Sequence, residues 1–206
     1  MKKYKLTDET KSFCGKPLHR IVALRDFGSV KKGDKGGWIE KEENLSHEGN
    51  CWVYDEARVS GNAKVCDNAK IYDDVIVYNN ARVCNNAKIY DHVISCGNSY
   101  VYGNAAIYGK ITISGSTEIS GFVEVVGEAK IYNAIISSIV DYIVFKNWWS
   151  SGRYFTWTRS NNMWSVGCFY GTGDELIKKA YEDSEDKGKH YEEIVEYVNK
   201  CVLGKA

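Results

Sequence analysis

Residues 53–69, VYDEARVSGNAKVCDNA, decide the fold. An aliphatic side chain stands at Val53, Val59 and Val65, and a small one follows four places later at Ala57, Ala63 and Ala69. Turn formers fill the gaps at Gly61-Asn62 and Asp67-Asn68. Working outward, the aliphatic column continues through Ile71, Val77, Val83, Ile89, Val101, Ile107, Ile113, Ile119, Val125 and Ile131, with Ser95 the one exception. A period of six matches neither the 3.6-residue helix nor two-residue strand alternation. It matches a chain that makes a short strand, turns a corner and repeats, pointing the large aliphatic into the middle of a face and the small residue into the corner. Three hexapeptides close one triangular coil of 18 residues, and the coils stack as a parallel β-helix.

The rest of the 206-residue composition agrees. Nineteen Gly against a single Pro, with many Asn, call for many tight turns of one kind. Hydrophobic residues make up 44%, with 15 Tyr and 6 Trp, which excludes a disordered chain. Lys plus Arg (27) equal Asp plus Glu (27), which argues against tracking DNA or RNA by bulk charge. The N-terminus lacks the apolar stretch of a signal peptide and no long apolar run follows, so the expectation is a cytoplasmic protein without membrane contact. Seven Cys without a CxxC pair predict reduced thiols, neither a disulfide framework nor a structural zinc site.

The repeat resembles the left-handed β-helix of hexapeptide-repeat proteins, over about residues 45–134. The resemblance implies the left hand, against the usual right-handed crossover rule, and a homotrimer. A solenoid of this kind needs capped ends. The expected fold is therefore mainly β: a β-rich N-terminal cap at 1–44, a left-handed parallel β-helix at 45–136 and a small α+β domain at 137–206. In the last, Arg153–Arg159 and Met163–Phe169 read as a hairpin, Thr172-Gly173-Asp174-Glu175 as a capping box, and Tyr191, Ile194, Val195, Val198 and Val202 as the stripe of a second helix. Three motifs (LHRIVALRDF at 18–27, GDKGGWIEKEENLS at 33–46 and GCFYGTGDELIKKAY at 167–181) further resemble a group of phage and prophage proteins often labelled transferases for their repeats. That resemblance puts such a protein in the host cell cytosol and leaves its chemistry open.

The 18-residue register turns the repeat into columns. Tyr54, Tyr72, Tyr90 and Tyr108 stack on one face beside Trp52, Lys70 and Lys88. A second face carries Ile76, Tyr78, Ile94 and Cys96 and reads as a subunit interface, because outward isoleucines are costly in water. Two corners hold Asn ladders (Asn62, Asn80, Asn98 and Asn68, Asn86, Asn104), while the third holds Glu56, Asp74, His92, Lys110 and Glu128. Asp73-Asp74 over Asp91-His92 is the best metal constellation, and turn chemistry accounts for it without a metal.

Two groups of residues suit a small anionic ligand such as a nucleotide signal. Lys70, Tyr72, Lys88 and Tyr90 offer charge beside phenols, and Trp149 together with Arg153, Trp157 and Arg159, the last three on one side of a strand, offer rings and guanidinium groups. The first expectation is thus a non-enzymatic trimer that sequesters such a ligand, without cofactor. The alternative is a CoA-dependent acyltransferase with His92 as its base, because deprotonating an acceptor hydroxyl or amine calls for a histidine and His92 alone lies within the coils. A third reading is a purely structural or protein-docking trimer.

Overall fold

The computed structural model describes residues 2–204, in two units: one ending at Asp141 and one beginning at Tyr142. The first is a mainly β solenoid with its cap. Every aliphatic of the period, and every small residue four places on, is buried. Strands of two residues repeat with an 18-residue step on each face: Trp52, Lys70, Lys88 and Ala106 pair in series, as do Arg58, Ile76, Ile94 and Thr112, and Lys64, Arg82, Tyr100 and Glu118.

The corners explain the composition. Two residues after each core aliphatic the backbone is left-handed, from Asp55 (φ 49°) through Gly61, Asp67, Asp73, Asn79, Asn85, Asp91, Gly97 and Gly103 to Asn133 (φ 51°). Only Gly, Asn and Asp visit that region cheaply, and no other residue type occurs at this place in the repeat. The Asp and Asn side chains also accept from the next coil, as Asp73 Oδ2 does from the Asp91 N–H at 2.9 Å and Asp91 Oδ2 from the Gly109 N–H at 2.8 Å. The following Asn residues form the expected ladders, Asn62 to Asn80 to Asn98 at 3.2 and 3.0 Å and Asn68 to Asn86 to Asn104 at 3.1 and 3.0 Å.

The 18-residue step has one consequence that corrects the expectation of seven reduced thiols. Cys66 and Cys84 stand at equivalent places in successive coils, with Cα atoms 4.7 Å apart, and are joined as a disulfide. That separation lies inside the usual disulfide range. The remaining cysteines (Cys14, Cys51, Cys96, Cys168 and Cys201) are free thiols.

At the N-terminal end, strands β1 (Tyr4–Phe13), β2 (Lys16–Ala23) and β3 (Lys35–Ile39) extend the sheet beyond the coils: β1 and β2 form a hairpin, β2 runs antiparallel to β3, and β3 pairs parallel to Arg58–Val59. The cap supplies donors to carbonyls of the first turn. The Tyr4 hydroxyl reaches the Glu42 and Leu45 carbonyls at 2.9 and 2.8 Å, and the Asn44 amide reaches those of Gly61 and Ala63 at 3.1 and 2.9 Å. Phe27 and Tyr4 pack edge-on to Trp52, which is 1% exposed. Trp52 therefore belongs to the core under the cap and not to the outer face beside Lys70. At the far end the step drops: Glu118 pairs with Ile135 and Ile119 with Ile136, one residue short of the repeat, and the period ends there.

The second unit is a four-stranded antiparallel sheet, Tyr142–Lys146, Tyr154–Thr158, Met163–Val166 and Phe169–Gly171, followed by α1 (Gly173–Asp183) and α2 (Glu185–Tyr197). The Thr172 hydroxyl accepts from the Glu175 N–H at 3.3 Å while Glu175 Oε2 accepts from the Thr172 N–H at 2.8 Å, the reciprocal box read from the sequence. Phe155, Trp157, Trp164, Leu176, Ala180, Tyr191, Val195 and Val198 form the core. Burying each of the larger of these contributes about 1.5–3 kcal/mol. Among the described residues no helix is long and apolar enough to cross a membrane.

Candidate functional site

The tyrosine and lysine columns form as the register requires. Tyr54 and Tyr72 stack with ring centroids 4.4 Å apart, Tyr72 and Tyr90 with centroids 4.8 Å apart, within 10° and 7° of parallel. Partial burial is the first cause raising the phenols of Tyr72 and Tyr90 above the usual tyrosine range, and the neighbouring phenols add to it at Tyr72. These hydroxyls stay protonated donors at neutral pH. Lys70 and Lys88 lie beside them in register. Lys88 is exposed, whereas the Lys70 Nζ donates to Ser29 Oγ at 3.4 Å, itself 3.2 Å from the Tyr54 hydroxyl. The cap thus engages one end of the ladder and leaves Lys88 and Tyr90 accessible.

The third corner forms an edge. His92 Nδ1 lies 3.8 Å from Asp74 Oδ2, one coil away, and both side chains are mostly exposed, at 70% and 53%. Asp73 and Asp91 are occupied by the turn hydrogen bonds described above, as the turn reading of that constellation expects. The second face is partly covered: Phe13 at the tip of the hairpin packs edge-on to Tyr78 at 6.4 Å, and the Arg58 guanidinium lies over the Phe13 ring.

In the second unit the four proposed ligand residues do not share an open face. Trp157 is fully buried and its indole N–H donates to Asn162 Oδ1 at 2.9 Å, so it is core, because both faces of its strand are covered. Arg159 donates to the Val202 carbonyl at 3.3 Å and stacks its guanidinium over Trp157. Trp149 packs among Phe155, His190 and Tyr191 and is half-buried. Arg153 alone of the four has an exposed side chain. These contacts stabilise the unit rather than present a base-stacking surface.

A charged cluster in the cap escaped the sequence reading. The Glu56 carboxylate accepts from Lys11 Nζ at 2.7 Å, Arg20 Nη2 at 2.8 Å and the Trp38 indole N–H at 3.1 Å. Lys11 first, then Arg20 and Trp38, hold this carboxyl down at about 2 against partial desolvation. Arg20 stacks over Trp38 with its guanidinium carbon 4.2 Å from the ring centroid. Arg20, Trp38 and Glu56 are each one 18-residue coil apart, and that spacing was the available signal.

No family model matches the chain. It is 38% identical over 80 residues to the "Uncharacterized acetyltransferase YdcK" of Escherichia coli (strain K12). The match takes in 32% of this chain, and the chain spans only 24% of that relative. The likeness is distant and partial, and it lies with the acyltransferase alternative. It lends no support to a phage origin or to nucleotide sequestration.

Proposed function

We propose that this solenoid is an acyltransferase of the hexapeptide-repeat type, taking an acyl group from a CoA thioester with His92 as general base. The likeness to a protein named as an acetyltransferase carries the reaction class. The exposed imidazole of His92, with Nδ1 3.8 Å from Asp74 Oδ2, supports the residue assignment, since an accessible ring nitrogen can take a proton from an acceptor docked on this edge. In the step, an acceptor amine or hydroxyl attacks the thioester carbonyl, its proton passes to His92, the carbon–sulfur bond breaks, and the proton is returned to the leaving CoA thiolate. Lys88 beside Tyr90 offers an ammonium and a phenol donor for the phosphates of the donor substrate.

The paired, half-buried Ile76 and Ile94 suit the interface of a homotrimer, on the face where the hairpin tip packs against Tyr78. The second reading, non-enzymatic binding of a small anion at Lys70, Tyr72, Lys88 and Tyr90, is favoured by the preorganised tyrosine stack. A thiol-release assay with acetyl-CoA across amine and hydroxyl acceptors decides between them. The acyltransferase reading expects CoA release that falls at least ~100-fold in His92→Ala, in keeping with the usual worth of a general base. Acetyl-CoA bound but never turned over leaves the anion-binding reading standing and overturns the enzymatic one.

A further inference from the structure

Lys3 and Cys51 are both fully buried, with Lys3 Nζ 3.2 Å from Cys51 Sγ. The same ammonium group reaches the Cys51 carbonyl at 2.8 Å and lies 3.4 and 3.5 Å from the carbonyls of Glu48 and Gly49. Those contacts explain why a lysine is tolerated there; they do not call for a thiol. Lys3 immediately precedes β1, and Cys51 opens the first coil, 48 residues further along the chain. The acyl-transfer site uses neither group.

Their surroundings favour the neutral forms. Burial is the leading cause that lowers the Lys3 ammonium from its ordinary value and raises the Cys51 thiol from its own. Both shifts run toward the neutral amine and thiol that a sulfur–nitrogen bond needs, and the nitrogen is already held against the one sulfur that it touches. Proximity of this kind is worth orders of magnitude in effective concentration.

We propose that Lys3 and Cys51 are a cross-linking site, joined by a sulfur–nitrogen bond when hydrogen peroxide oxidises the thiol. Peroxide reaches Cys51 through local opening of the segment around Lys3. The thiol is oxidised to a sulfenic acid and the peroxide is reduced to water. On reclosing, the Lys3 nitrogen attacks the sulfur, displaces hydroxide and gives up a proton to it, leaving a sulfenamide and a second water. The linked chain is two hydrogens lighter than the reduced one, and a thiol reductant reverses the bond by attacking sulfur and releasing the amine. The link ties the first strand of the cap to the first coil.

The full-length protein is treated with hydrogen peroxide, alkylated, digested with trypsin and mapped by mass spectrometry. The expected product is one species joining the peptides that carry Lys3 and Cys51, two hydrogens lighter than their sum, with cleavage after Lys3 lost and regained on adding dithiothreitol. The Cys66–Cys84 disulfide joins other peptides and is told apart by the map. Recovery of Cys51 as a free thiol or a sulfinic acid, with Lys3 still cleaved, overturns the proposal when exposed Cys14 is oxidised in the same sample. Cross-linking should also raise the melting midpoint by roughly 10 °C, judged from the worth of a cross-link closing a loop of this length. The same rise in Cys51→Ala would assign it to another site and overturn the proposal.

Discussion

Ser95 and Ser99 meet inside the solenoid, Oγ to Oγ at 2.9 Å, both fully buried. Ser95 is the one break in the aliphatic column, and the small residue four places on answers it with a hydroxyl. A lone hydroxyl at either place would be buried without a partner, whereas the pair satisfies itself. Ser99→Ala should therefore cost about 1–3 kcal/mol, while Ser95→Val with Ser99→Ala restores the pattern of the neighbouring coils and is neutral or stabilising. Denaturant midpoints at constant slope measure both, and a double variant no more stable than Ser99→Ala would contradict the pairing argument.

Gly103 and Gly127 occupy the same place in the repeat, at φ 72° and 90°, in different surroundings. A Cβ at Gly103 would come 2.9 Å from the Gly121 backbone nitrogen; at Gly127 it would meet nothing within 4 Å. Alanine at either position carries the left-handed strain of about 1–2 kcal/mol. Only Gly103→Ala also pushes two coils apart, so it should lower the melting midpoint clearly more than Gly127→Ala. Equal losses would mean that backbone strain alone selects glycine here.

The Glu56 cluster gives the cap a pH dependence of known sign. Its folded-state value of about 2 lies below the value of about 4.3 for an unfolded glutamate. The stabilisation is complete above the unfolded value and fades as pH falls through the folded one, so the loss runs between those two values. Hydrogen exchange across β1 and β2 should accelerate over that window in the wild type. Glu56→Gln should show weaker protection at neutral pH and a flatter acid response.

Much of this molecule was legible because the repeat makes each residue answer to its equivalents one coil away. Val53 through Ile131, the Asn ladders and the left-handed Asp, Asn and Gly positions follow from period and turn chemistry alone. The Thr172–Glu175 box was readable for the same reason, being local. The cap was not, since the reach of Tyr4 to Leu45 or of Lys11 to Glu56 depends on how an aperiodic hairpin folds back over the first coil. Trp52 shares its column with Lys70, and only Phe27 and Tyr4 above it turn an outer position into core. The Cys66–Cys84 pair carries no CxxC spacing; its signal is the 18-residue coil step itself. Trp157 misled through strand alternation, which says which side chains share a face and nothing about what covers it. The E. coli relative likewise aligns with only part of the chain, so His92 rests on position and chemistry.

Tyr72 is the middle rung of the tyrosine ladder, stacked on both sides. Each parallel stack is worth about 0.5–1.5 kcal/mol beyond area burial, so Tyr72→Ala should destabilise the solenoid by about 1–3 kcal/mol. Tyr72→Phe keeps both stacks and should stay close to wild type in stability. The two variants also separate stacking from hydrogen bonding at the surface beside Lys70 and Lys88. If the phenol donates to an anionic substrate, Tyr72→Phe weakens acetyl-CoA binding in calorimetry while leaving the unfolding midpoint in place. If the ladder only builds the coil, Tyr72→Phe binds as the wild type does and only Tyr72→Ala changes anything.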